Sequence, residues 1–113
     1  MSVVVAALAL LTAAPADSRR SDVLSAIERG AEHAATVLIT RTGEGRTEYD
    51  LLRGTWSAYE THWHTAQTAY GLIEAWRVTG KHSYRKSARR AGDWWVSTEF
   101  KAPHPMAGVV NAA

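Results

Sequence analysis

The stretch Tyr59–Trp95, YETHWHTAQTAYGLIEAWRVTGKHSYRKSARRAGDWW, decides the fold. Side chains that share one face of a helix lie three or four residues apart. From about Tyr59 to Thr79 that spacing gives two unlike stripes. Ala66, Ala69, Leu72, Ile73 and Trp76 form an apolar one, with His62 at its outer end. Glu60, Trp63, His64, Gln67, Gly71 and Glu74 form the opposite one. Gly80 is placed to end this helix in a left-handed conformation. "KHS" (Lys81–Ser83) follows as a tight link, with Ser83 as N-cap of a further helix from about Tyr84 to Thr98. That helix is two-sided. Tyr84, Ser87, Ala88, Ala91, Trp95 and Thr98 face a core, while Arg85, Lys86, Arg89, Arg90 and Asp93 face water. So short a link makes the two helices an antiparallel pair.

Upstream, Val23, Ile27, Gly30, Ala34, Val37 and Leu38 lie on one side of a helix expected over about Asp22–Thr40, with Ser21 as its N-cap. "RTGEGR" (Arg41–Arg46) breaks it. Thr47–Ser57 has no sustained period and reads as an irregular connection. Pro103 and Pro105 stop regular structure after the last helix. The expected class is all-α, with about three helices.

A chain of 113 residues holds one small domain at most. Its first sixteen residues, MSVVVAALALLTAAPA, carry no charge, and an apolar run from Val3 leads to the A-x-A pattern Ala14–Ala16. This is the form of a secretory signal peptide, although no Lys or Arg precedes the run. The run is shorter than the roughly 20 residues that cross a bilayer. The expectation is therefore a cleaved signal over 1–16, a helical domain over 17–113, and a secreted or periplasmic product. No membrane association beyond that signal is expected. With no cysteine, neither a disulfide nor a thiolate metal site exists in this chain. The net charge of +2 does not by itself call for a nucleic acid, and the basic run on the last helix reads as a solvated face.

The stripe containing Glu60, Trp63, His64 and Gln67 suits a pocket wall. Indole faces stack on the C–H patches of sugar rings, and carboxylate, imidazole and amide groups hydrogen-bond hydroxyls. These four are the candidate substrate-binding residues, with a carbohydrate as partner. Glu60 and His64 have a spacing at which both reach one ion, but a zinc site needs three or four ligands, so no metal or cofactor is expected. Glu74 shares their face but lies roughly 21 Å along the axis from Glu60 at about 1.5 Å per residue. That is too far to complete a two-carboxylate catalytic pair. The catalytic residues stay unassigned.

Trp63–Trp95 resembles a helical hairpin of the six-hairpin glycosidase-like (α/α)6 barrels, in which an inner helix carrying pocket residues leads through a "TG" turn to an outer helix. The match is carried by Leu72, Ile73, Glu74, Ala75, Thr79, Gly80, Lys81, Ala88, Arg90, Ala91 and Asp93. Within that group it is most similar to the β-L-arabinofuranosidase type (glycoside hydrolase family 127). The resemblance covers roughly Tyr59–Phe100, about two fifths of the chain. It implies sugar contacts at His64 and Gln67. The arabinofuranosidase branch relies on a zinc-held cysteine nucleophile, and this chain has no cysteine. A complete toroid also has more hairpins than are read here. The expectation is an N-terminal fragment of an exported carbohydrate-active protein, a glycoside hydrolase above other types, and inactive alone. The alternatives are a fragment of a sugar epimerase or polysaccharide lyase, or a small helical binding module without catalysis.

Overall fold

The structure, a computed structural model, describes residues 16–111. The proposed signal segment lies outside the described residues, apart from Ala16 at its end. Three helices carry the fold: α1 (Ala16–His33), α2 (Thr61–Thr79) and α3 (His82–Ser97). A single π-helical turn (Ala34–Leu38) extends α1, and a small antiparallel hairpin joins β1 (Glu48–Asp50) to β2 (Thr55–Ser57). The chain is mostly helical, as its periodicity predicts.

α2 and α3 form the principal interface, an antiparallel pair joined by Gly80 and Lys81. Gly80 takes the expected left-handed conformation (φ 72°), and its N–H returns to the Trp76 carbonyl at 2.7 Å. The core between the helices is built from Ala31, Ile39, Leu72, Ala75, Tyr84, Ala88 and Ala91, with Ile27, Ile73 and Trp76 packed around it. Small alanines let the helix axes approach, and Tyr84, with no exposed surface, fills the space they leave.

The helix limits differ from expectation in three places. α1 begins at Ala16, so Ser21 lies inside it rather than capping it. It stops being α-helical at His33. Ile39 N–H then reaches back five residues to the Ala34 carbonyl (2.9 Å), and Ile39 itself is extended. Carbonyls of α1, of this widened turn and of Thr40 beyond it accept bonds from α3. Ser87 Oγ donates to Ala35 O (3.0 Å), Tyr84 OH to Glu28 O (3.2 Å) and Arg90 Nε to Thr40 O (3.1 Å). Arg90, assigned to the solvated face, thus turns inward and also donates to Ser87 Oγ. Finally, α3 starts at His82 with Lys81 in the cap position and no side-chain cap, so Ser83 is not the cap.

The RTGEGR segment makes a tight return, closed by Thr40 N–H on Glu44 O and Arg46 N–H on Leu38 O. Two glycines are needed because other segments of the chain pass close by. A Cβ at Gly43 would collide with the Arg90 carbonyl, and one at Gly45 would lie 2.9 Å from Thr65 Cα. Thr65, fully buried on α2, accepts the Gly45 N–H (2.8 Å) and donates to Thr61 O (2.6 Å). This pins the return against the first turns of α2.

Thr47–Ser57, expected to be irregular, contains the hairpin. Tyr49 pairs with Trp56 across it, ring centroids 5.1 Å apart. Asp50 organises the turn by accepting the N–H groups of Leu52 and Arg53 at 2.9 and 3.1 Å. Beyond α3, the chain through Pro103 and Pro105 runs in turns. It then closes back on itself, with Phe100 N–H on Val109 O and Asn111 N–H on Thr98 O, both at 2.8 Å.

Candidate functional site

A cleft of about 1000 Å³ opens where the N-terminal end of α2 meets the C-terminal end of α3. Three segments of the chain converge on it. The Thr65 pin brings Glu44 beside the start of α2. The return of the C-terminal segment to Thr98 brings Glu99, Phe100 and Lys101 to its other side. Glu60, just before α2, and His62 and Trp63 in its first turn line the cleft together with Trp94 of α3.

Glu60 is the last residue before α2 and sits in the left-handed region (φ 47°, ψ 42°), the one non-glycine residue with positive φ among those described. Its carbonyl still accepts the His64 N–H at 3.1 Å. The Glu60 carboxylate, hydrogen-bonded to the neighbouring Tyr59 phenol and repelling its anion, holds that phenol above its ordinary pKa.

His62 is locked. Thr98 Oγ1 donates its one hydrogen to Trp95 O (2.7 Å), so it accepts from His62, which puts a proton on Nε2 at 3.0 Å. The imidazole leans on the Trp94 ring, centroids 4.8 Å apart, and the His62 carbonyl accepts the Trp95 indole N–H at 3.2 Å. Trp63, by contrast, is 63% exposed and has its indole free to meet a ligand. Across the cleft, Glu99 pairs with Lys101 at 2.9 Å.

The four residues expected to form one wall therefore separate. Glu60 and Trp63 line the cleft. His64 is half-buried and Gln67 exposed further along α2, and neither reaches the cleft. Glu60, in a left-handed conformation, precedes the first turn of α2 rather than lying within it. His62, assigned to the end of the buried stripe, becomes a cleft residue. Trp94, Glu44, Glu99 and Lys101 had no local signal, being brought in by contacts far apart in sequence. The apolar stripe holds at Leu72, Ile73, Trp76 and Ala69, but Ala66 is exposed.

A second groove, of about 390 Å³, runs between α1 and α2 over Ile27, Leu38, Leu72 and Val78, with Gly30 and Gly71 open at its floor. Its lining offers a polar ligand almost no hydrogen-bonding groups, which separates it in kind from the cleft. On α3, Arg85, Lys86 and Arg89 are exposed, and Arg85 lies over the Trp76 ring at 5.0 Å. Among the described residues no three His, Asp or Glu side chains gather to hold a metal, and no helix is long and apolar enough to cross a membrane. No protein-family model, curated protein or solved structure matches the chain.

Proposed function

We propose that the cleft is a carbohydrate-binding subsite, and that the chain is one stretch of an exported, (α/α)6-type carbohydrate-active protein, a glycoside hydrolase above other types. The observation that carries the binding part is the joining of two indoles, Trp63 and Trp94, with the carboxylates of Glu44 and Glu60 in one open cleft. Apolar ring faces beside fixed acceptors are what a pyranose or furanose presents surfaces for: C–H patches on one side, hydroxyl donors at the edge. His62, oriented by Thr98, offers Nδ1 as an acceptor in its neutral form. Of the residues named from sequence, Glu60 and Trp63 are the proposed contacts; His64 and Gln67 belong to the proposal only where further chain extends the subsite along α2. The enzymatic part rests on the resemblance of Trp63–Trp95 to inner and outer barrel helices and on the signal-like N-terminus. Hydrolysis is assigned to the larger protein rather than to these residues alone.

Titration with a panel of soluble neutral and charged oligosaccharides, followed by calorimetry, tests the binding part. Binding of at least one sugar, weakened about tenfold or more by Trp63→Ala with an unchanged thermal midpoint, is the expected outcome. Binding that ignores both Trp63→Ala and Glu60→Gln moves the site elsewhere, and no binding to any sugar removes the proposal.

A further inference from the structure

His62 reaches the cleft with one ring nitrogen already committed. Thr98 Oγ1 gives its only hydrogen to Trp95 O at 2.7 Å, so it has a lone pair alone to offer His62 Nε2 at 3.0 Å. The residue is held in two further ways. Its ring leans on Trp94, centroids 4.8 Å apart, and its carbonyl accepts the Trp95 indole N–H at 3.2 Å. The imidazole therefore keeps Nε2 as its donor, through a contact that joins the first turn of α2 to the residue closing α3.

The other nitrogen has no such commitment. Among the described residues Nδ1 makes no hydrogen bond, yet no buried side-chain nitrogen or oxygen there lacks a partner. Nδ1 is thus open to solvent, and the cleft is the space that His62 lines. Among the described residues no carboxylate oxygen lies within 4.0 Å of either ring nitrogen. The charged groups that share the cleft are Glu60 just before α2, Glu44 from the Arg41–Arg46 return, and Glu99 and Lys101 after α3. α3 and its cap bring the uncharged Trp94, Ser97 and Thr98. Two species can then occupy the Nδ1 lone pair: a proton from water, or the hydrogen of a ligand hydroxyl.

We propose that Thr98 is a positioning residue: by fixing Nε2 as the donor it presents Nδ1 to the cleft as the acceptor of a ligand hydroxyl, and acid displaces that hydroxyl. The proposal rests on the carbohydrate reading of the cleft and adds its regulation. Protonation at Nδ1 replaces the acceptor by an N–H, and the hydroxyl loses its bond. Ligand and proton exclude each other at one nitrogen, so each weakens the binding of the other by the same factor.

The test uses the isotope-labelled full chain and the neutral tetramers of glucose, galactose, mannose and xylose, none of which titrates. Long-range proton–nitrogen spectra follow His62 directly. The expected spectra show the Nε2–H tautomer without sugar, and a His62 titration midpoint that falls by about half a pH unit when a tetramer saturates the cleft. By reciprocity that tetramer binds about threefold more weakly below the midpoint than above it. Carboxylates in model peptides titrate lower, at about pH 4, and no other histidine lines the cleft, so a loss that tracks His62 belongs to His62. Thr98→Val should let the ring sample both tautomers and weaken binding about threefold, and Thr98→Ser should restore both readings. An Nδ1–H tautomer in the free protein overturns the proposal. So does a midpoint that stays put or rises on saturation, which makes the imidazole a bystander or a donor and leaves the carbohydrate reading standing. Should Thr98→Val fail to fold, Thr98→Ser and the wild-type titration decide by themselves. If no tetramer binds, this proposal falls, and the carbohydrate reading falls with it only when charged oligosaccharides fail as well.

Discussion

One helix, α2, spans two unlike environments. From Leu72 to Thr79 it is set against α1 and α3, where polar groups are answered within the fold. Thr79 Oγ1 donates to Ala75 O, and Tyr84, Ser87 and Arg90 donate to the Glu28, Ala35 and Thr40 carbonyls. From Thr61 to Trp63 the same helix, with Glu60 just before it, faces a cleft where an indole is mostly exposed and two carboxylates face no cation. Among the described residues no buried side-chain polar atom lacks a partner. The closed end thus stabilises by complete satisfaction, while the open end keeps hydrogen-bonding capacity for something else. Thr65 sits at the boundary and serves both, since its hydroxyl is buried yet fixes the turn that carries Glu44.

The sharpest way to break the closed end is Tyr84→Ala, which empties the centre of the core and removes the bond to Glu28 O. A loss of about 3–5 kcal/mol is expected. For a domain of this size that is a large share of the total, so urea unfolding should show little or no folded baseline. Thr65→Val comes next. It keeps the volume but leaves the buried Gly45 N–H without an acceptor, at a cost of about 1–3 kcal/mol. Faster hydrogen exchange at Gly45 and weaker ligand binding should accompany it, because Glu44 loses its anchor. Trp63→Ala should reverse the pattern, with almost no change in stability and a large loss of sugar affinity. A large stability loss there would show that the indole belongs to the closed end after all.

The smallest effect is expected at the Lys81–Glu28 pair (3.2 Å), which ties the α2–α3 link to α1. The hydrogen bond to Glu28 raises the Lys81 pKa above its ordinary value. A group whose pKa is raised on folding contributes stability that is complete below its unfolded pKa and is lost as pH rises through the folded one. Unfolding midpoints measured into the alkaline range should therefore fall slightly more for the wild type than for Lys81→Met. Both partners are largely in water and screened, so the difference should be small and should vanish in high salt.

Much of the closed end was legible in the residues. Gly80 marked the end of α2, and the face Tyr84, Ser87, Ala88, Ala91 was read correctly as buried, because helical period and side-chain chemistry agree there. Arg90 escaped because its position in the sequence is that of a solvated cation, and only the fold brings the Thr40 carbonyl and the Ser87 hydroxyl within its reach. The hairpin escaped for a different reason. Each strand is three residues long, and the two exposed leucines between them, Leu51 and Leu52, mask the Asp50–Gly54 turn. At the open end, helical spacing kept Glu60 with His64 and Gln67 on paper. In the structure Glu60 precedes the helix in a left-handed conformation, and no local propensity announces a glutamate there.

The sequence by itself determined the all-α class, the α2–α3 pair with its glycine-terminated turn, and the absence of any disulfide or thiolate chemistry. These follow from short-range periodicity and composition, which are properties of neighbouring residues. Only the tertiary structure decided which polar groups face inward, and which aromatic and acidic side chains share a cleft. His62 meets Thr98 across 36 positions and Gly45 meets Thr65 across 20. Such pairings are set by how buried hydrogen bonds are satisfied once the helices have packed.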